Sequence, residues 1–146
     1  MRVARPARLA RVARVALRSV WCAALAGLAL APVMARACTL PAEAGRRLHH
    51  DGLQLAWRTE PAVLSVGQPF RLWIQACPTE LQLRRVDATM PEHRHGMNYR
   101  PSIVAEGPGR WRVDGLLWHM AGRWEWRFEA ELRGERHDLR QSVELR

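Results

Sequence analysis

The sequence predicts an all-β domain, an immunoglobulin-like antiparallel β-sandwich of about seven strands that follows an N-terminal signal peptide. Two observations beyond residue 50 support this prediction: apolar and polar residues alternate in short runs, and turn-forming residues separate those runs. A third is that no stretch there has a helical period. Short strands at such spacing are typical of a sandwich whose two sheets each bury one face.

The first 37 residues have the composition of a secretory signal peptide. Arginine recurs through their first half, residues 20–33 form an apolar run without charge, and residues 35–37 form an Ala-Arg-Ala cleavage site. The apolar run is shorter than the roughly 20 residues that a membrane-spanning helix needs. We therefore expect cleavage after Ala37 and a periplasmic or secreted protein. The alternative is an uncleaved leader that anchors the chain in a membrane.

Most of the excess positive charge lies in this leader. The whole chain has 23 basic and 14 acidic residues, a formal charge of +9. The leader contains seven arginines and no acid, which leaves 16 basic against 14 acidic residues, or +2, for residues 38–146. A charge this small gives no support for nucleic-acid binding.

Residues 38–146 are enough for one small domain. We expect a loosely ordered N-terminal extension at 38–50 and the sandwich itself at 51–146. Cys38 and Cys77 form an even pair in an oxidising compartment, which predicts a disulfide. Such a bond would stabilise the fold by about 3–4 kcal/mol in the chain-entropy model. Two free thiols, a lipidated Cys38 or a metal-binding thiol are the alternatives.

Apolar residues at every second position mark the predicted strands. The clearest is the stretch in which Trp, Phe, Ala and Leu alternate with Arg and Glu. The predicted strands lie at residues 53–58, 70–76, 81–89, 111–119, 124–132 and 139–145. The turn-forming residues between them lie at 65–69, 77–79, 106–109, 121–122 and 133–134.

Methionine and histidine are concentrated at the ends of two of these strands. In an extended segment, side chains two residues apart project to one side, so His93, His95 and Met97 would converge. Thioether sulfur is soft and favours Cu(I), whereas imidazole binds both oxidation states of copper. The pattern therefore predicts a site for copper, as Cu(I) or Cu(II), outside the cytoplasm. Its candidate ligands are Met90, His93, His95, Met97, His119 and Met120.

His119 and Met120 would point to opposite faces if both lay in a strand, and we then expect Met120 to face the site. In a structural alternative, Met90 and Met120 fill the core and the histidines are solvated. A zinc site built from the three histidines is a further alternative. The remaining histidines, His49, His50 and His137, are expected to be surface or tail residues.

Six tryptophans lie outside the leader, and we expect them to pack in the core and the sheets. Trp73 and Trp118 are the candidates for an exception, since an exposed indole could stack on a sugar or a partner or shield a Cu(I) ion. The chain contains no nucleophile elbow, no glycine-rich phosphate loop and no HExxH motif, so we do not expect an enzyme.

Three motifs in order resemble the YtkA/FixH-like family of extracytoplasmic domains, over roughly residues 51–146. The resemblance implies an immunoglobulin-type sandwich with a periplasmic role in copper handling or oxidase assembly. By position it also places Met90, His93, His95, Met97 and Met120 in the metal-rich segments, with His119 as an addition. FixH-type members keep a membrane anchor, whereas this leader looks cleavable. The motifs are Met90-Pro91 through His95-Gly96-Met97, then Gly109-Arg110-Trp111, then Met120-Ala121-Gly122-Arg123-Trp124.

These observations together favour a periplasmic copper-binding protein that acts in copper delivery, buffering or tolerance. Its partner would be a copper acceptor or an oxidase-assembly protein of the envelope. The alternative is a metal-free accessory module of the envelope, for example in cytochrome oxidase assembly. The sequence gives no indication of the oligomeric state.

Overall fold

A computed structural model describes residues 38–146, so the predicted leader lies outside the described residues. The described chain forms nine strands and one short 3-10 helix, Ala42–Ala44, and contains no α-helix. No helix within 38–146 is long and apolar enough to cross a membrane. The strands are β1 Arg46–His50, β2 Leu53–Glu60, β3 Pro69–Cys77, β4 Gln82–Met90, β5 His95–Gly96, β6 Ser102–Gly107, β7 Arg110–Leu117, β8 Gly122–Leu132 and β9 Glu135–Leu145.

The strands form two antiparallel sheets that pack face to face, which confirms the all-β sandwich. One sheet, called sheet A here, has the order β1-β2-β3-β7-β6, and the other, sheet B, has the order β5-β4-β8-β9. Without the short β1 and β5, four strands remain in sheet A and three in sheet B. That is the division of an immunoglobulin-type sandwich of seven strands. The immunoglobulin type itself stays a prediction.

A single apolar core fills the space between the sheets because alternate residues of each strand face inward. Trp126 and Phe128 of β8 and Leu55 of β2 are fully buried. One polar contact also crosses this core: Trp57 Nε1 donates a hydrogen bond of 2.7 Å to Gln141 Oε1. It joins β2 of sheet A to β9 of sheet B and satisfies an indole N–H that burial would otherwise leave unpaired.

The segment expected to be a loose extension is instead part of the fold. Residues 46–50 form β1, which pairs along its whole length with β2. The residues before it cover the outer face of sheet A, where Leu40, Ala44, Ala56 and Cys77 form a small second apolar cluster. Cys38 and Cys77 are joined by the expected disulfide, with their Cα atoms 5.5 Å apart. The disulfide and the cluster therefore attach the N-terminal segment at the same place.

The two tryptophans named as candidates for exposure differ from each other. Trp118 is only 2 % exposed and belongs to the core, as expected for the tryptophans in general, so it is not an exposed exception. Trp73 is half-buried on the outer face of sheet A, where its Nε1 donates to Glu60 Oε2 at 2.6 Å. The guanidinium groups of Arg58 and Arg112 lie 5.4 and 5.9 Å from its ring centroid. Both distances are within the range of an attractive cation–π interaction.

Reduction of the Cys38–Cys77 bond is expected to lower the free energy of unfolding by about 3–4 kcal/mol, because the bond closes a long loop in the unfolded chain. The two cysteines are 39 residues apart in sequence. Denaturant unfolding with and without a thiol reductant measures this difference. A Cys38→Ala/Cys77→Ala variant is the control and should not respond to the reductant. Equal unfolding midpoints of the oxidised and reduced protein would contradict the prediction.

Candidate metal site at the Met–His edge

The first group of candidate ligands lies where β4 turns into the two-residue strand β5. Met90 and His95 are directly opposite each other in the β4–β5 pair. The His93 N–H donates a hydrogen bond of 3.1 Å to the Met90 carbonyl, and Arg94 takes a positive φ of 56° as the chain reverses. Opposite residues of an antiparallel pair project to the same face. The hairpin therefore brings His95 to the side on which Met90 is buried.

Met97 continues this arrangement on the same side. Its N–H donates to the Ala88 carbonyl at 3.1 Å, and its half-buried side chain packs against the core. His95 and Met97 thus alternate with Gly96, which is paired with Thr89. The alternation expected from the sequence thus applies to His95 and Met97, whereas His93 lies in the turn before β5 and not in an extended segment.

The second group lies after β7, which ends at Leu117. Residues 118–121 have no regular structure, and this short connection crosses from sheet A to the start of β8 in sheet B. Trp118 turns into the core, and His119 lies next to His95. The connection therefore brings the two groups of ligands to one edge of the sandwich. We call Met90, His93, His95, Met97, His119 and Met120 the Met–His edge.

The three imidazoles of this edge form a row with His95 at its centre. The ring centroids of His93 and His95 are 5.7 Å apart, and those of His95 and His119 are 5.2 Å apart. His93 is exposed, and the other two rings are half-buried. Among the described residues, the three do not form a compact cluster in which all ligand atoms lie within 4.8 Å of one another. The row can offer two neighbouring imidazoles to one ion.

Two stacked indoles, those of Trp124 and Trp118, lie on the core side of this row. Trp124 meets His95 and His119 edge to face, with centroid separations of 6.3 and 5.6 Å. Trp124 is itself stacked on Trp118 at 5.1 Å, and both indoles are buried. The Trp124 Nε1 donates a hydrogen bond of 3.0 Å to the Met120 carbonyl, which holds the connection against β8. His95 and His119 therefore pack against buried aromatic side chains that exclude water.

The expectation that Met120, and not His119, faces the site is not what the structure shows. His119 contacts His95 and Trp124, whereas the Met120 side chain is 37 % exposed. The expectation assumed that both residues lie in a strand and alternate between its faces. The strand ends two residues earlier, so its alternation does not govern their directions.

The three methionines lie at different depths. Met90 is 1 % exposed and belongs to the core cluster, as the structural alternative expected for it. Met97 is half-buried, and Met120 is exposed, so Met120 is not a core residue. Thioether sulfur is thus present both beneath the row of imidazoles and on the solvent side of the edge.

The donor chemistry of the edge fits a soft metal ion. The His119 Nδ1 is buried and has no hydrogen-bond partner among the described residues, a state that costs free energy unless a ligand or a metal satisfies it. The nearby carboxylate of Glu92 is engaged with Arg123, with Oε1 3.1 Å from Nε. Imidazole and thioether remain, and these are the groups that bind copper in either oxidation state.

Comparison of the chain with family models, with curated proteins and with solved structures found no significant match. The resemblance to YtkA/FixH-like domains therefore stays a prediction that rests on the three sequence motifs.

Gly122→Ala is expected to destabilise the protein because two costs add. Gly122 has a φ of 118°, and an added Cβ would lie 3.1 Å from the Met90 Cε in the core. The backbone cost is about 1–3 kcal/mol, and crowding in a packed core adds roughly another 1 kcal/mol. Thermal or denaturant unfolding measures the loss.

The matched control is Gly134→Ala in the turn between β8 and β9. Gly134 also has a positive φ, 84°, but an added Cβ would meet nothing within 4 Å. The control should therefore show the backbone cost alone. If Gly134→Ala destabilises the protein as much as Gly122→Ala, the close packing of Met90 against the start of β8 is refuted.

Proposed function

We propose that this protein binds copper at the Met–His edge and acts outside the cytoplasm in copper delivery, buffering or tolerance. The observation that carries the proposal is the row of His93, His95 and His119 beside thioether groups at one edge of the sandwich. The disulfide between Cys38 and Cys77 supports an oxidising compartment, because such bonds are rare where thiols are kept reduced.

The ligands that we propose are His95 with one of its two neighbouring imidazoles, and a thioether from Met97 or Met120. Such a set is neutral, so it suits the single charge and soft character of Cu(I). The two imidazoles also keep Cu(II) accessible. Met90 lies beneath the row as a core residue, and we give it a supporting role.

The position of this edge suits transfer of the ion to a partner. His93 and Met120 are exposed, whereas His95, Met97 and His119 are half-buried. An acceptor protein could replace the outer ligands first and the inner ones afterwards, so the ion would never be released to solvent. The partner class that we propose is therefore a copper acceptor or an oxidase-assembly protein of the envelope.

A metal-free accessory module is the second candidate, and Trp73 is the observation that favours it. Its half-buried indole lies between Arg58 and Arg112 on the outer face of sheet A. Aromatic and arginine side chains are enriched where proteins bind each other. On this reading the outer face of sheet A would contact a partner, and the Met–His edge would be structural.

Copper titration of the protein produced from the full-length chain separates these candidates. We expect one retained Cu(I) ion per chain after desalting under ascorbate, which leaves disulfides intact, and loss of that ion in the His93→Ala/His95→Ala variant. The thermal midpoint of the wild type should also rise with copper, because a ligand that binds only the folded state stabilises it.

His49→Ala is the matched control, since His49 is an exposed histidine on β1, away from the Met–His edge. It should retain copper as the wild type does. A double variant that no longer folds would mean that the histidines are structural. A wild type that retains no copper in either oxidation state would refute the copper proposal and favour the accessory module.

Replacement of both Met97 and Met120 by Leu is expected to weaken Cu(I) binding about tenfold or more, whereas Met90→Leu should leave it nearly unchanged. Exchange of Met for Leu conserves volume and costs less than about 1.5 kcal/mol of stability, so both variants should fold. Competition with a Cu(I) chelator measures the affinities. The opposite order of effects would contradict the proposed ligand set.

A further inference from the structure

A second group of possible metal ligands lies at a different edge of the sandwich, formed by His50, Asp51 and His137. Each residue offers one ligand atom, and the three atoms lie within 4.8 Å of one another. Among the described residues, this is the one group of three His, Cys, Asp or Glu side chains that meets that condition. We propose that these residues bind a borderline divalent metal ion such as Zn²⁺ and so link β1 to β9 across the open edge between the two sheets.

The alternation along each strand brings the two histidines together. Leu48 of β1 packs against the core, and His50, two residues later, faces the same way. On β9, His137 lies on the face of Leu139, which is buried. β1 is one of the two edge strands of sheet A, and β9 is one of the two edge strands of sheet B. The two imidazoles therefore face each other across the opening, with ring centroids 6.5 Å apart.

The carboxylate is held by a tight turn. Asp51 and Gly52 form the two-residue connection between β1 and β2, with φ values of 46° and 77°. Positive φ at both positions is the signature of a type I′ hairpin turn, for which Asp-Gly is a favoured pair. This turn keeps the Asp51 Oδ2 3.2 Å from the His50 Nε2. Two of the three ligands are therefore prearranged before any ion binds.

An unpaired nitrogen on His137 is the second observation that points to a ligand. Its Nε2 is buried and has no hydrogen-bond partner among the described residues. The adjacent carboxylate of Asp138 does not serve it: its Oδ2 contacts Arg127 and Arg140 at 2.9 Å each, and its buried Oδ1 also has no hydrogen-bond partner among the described residues. A buried ring nitrogen without a partner is costly, and a metal bound at the site would remove much of that cost.

The ligand set decides the class of ion. Two imidazoles and one carboxylate suit zinc and similar divalent ions, and three protein ligands leave a coordination position open. The group contains no thioether, so it lacks the feature that favours Cu(I) at the Met–His edge. Since Asp51 is 75 % exposed and the His50 side chain 46 % exposed, the ion would reach the site directly from solvent.

Zinc titration of the protein produced from the full-length chain tests this site, read by isothermal calorimetry and by metal content after desalting. We expect one Zn²⁺ per chain, lost in His137→Ala and in His50→Ala. Asp51→Asn should weaken zinc binding about tenfold or more, which is the usual size of the effect when a contact at a metal site is lost. Asn is itself favoured in the type I′ turn, so this variant keeps the hairpin.

Two controls separate this site from the rest of the molecule. His49 lies next to His50 on the same strand and projects to the opposite face, so His49→Ala should bind zinc as the wild type does. The His93→Ala/His95→Ala variant should also keep this zinc, so failure of the copper proposal leaves the test unaffected. A wild type that retains no zinc, or zinc that persists in both His50→Ala and His137→Ala, would overturn the inference.

Discussion

The packing of three tryptophans between the sheets is the interaction on which the Met–His edge depends. Trp118 lies 5.1 Å from Trp124 and 4.9 Å from Trp126, measured between ring centroids, and all three are at most 2 % exposed. Trp118 directly follows the end of β7 in sheet A, whereas the other two belong to β8 in sheet B. Their contact fixes the path of the short connection between the sheets. As a result of that path, His119 lies next to His95.

Each candidate metal site lies at an edge where strands of different sheets meet. A closed sheet interior has no room for an ion, since its side chains pack against one another. At an edge, inward-facing residues of both sheets approach one another and still reach solvent. His50 and His137 meet in this way at one edge, whereas at the other edge His95 of β5 meets His119 of the connection between β7 and β8. The sandwich thus positions donor groups from strands that are distant in sequence.

Much of this fold could be predicted from alternation alone. The clean alternation from Trp124 to Leu132 predicted β8, and similar patterns predicted β2, β3, β4, β7 and β9. The missed strands β1, β5 and β6 have weaker patterns. β1 consists of Arg and His residues with one core-facing residue, Leu48. It forms because its backbone pairs with an edge of β2 that would otherwise be free. A strand that is stabilised mainly by pairing with its neighbour shows little strand propensity in its own composition.

The candidate sites were predictable to different degrees for the same reason. The sequence predicted that His93 and His95 lie close together, and they do, but through the turn of one hairpin and not through an extended segment. The position of His119 could not be predicted, because it depends on where β7 ends and on the burial of Trp118. His50 and His137 are 87 residues apart in the chain, and only the topology of the two sheets brings them together. Both were expected at the surface as solitary residues.

X-ray absorption spectroscopy of the Cu(I)-loaded protein at the copper edge tests the central proposal most directly, because it counts the sulfur and nitrogen atoms bound to the ion. We expect a first shell with both imidazole nitrogen and thioether sulfur, and loss of the sulfur contribution when Met97 and Met120 are both replaced by Leu. A first shell of nitrogen and oxygen alone, unchanged by those substitutions, would contradict the view that the Met–His edge is a copper site.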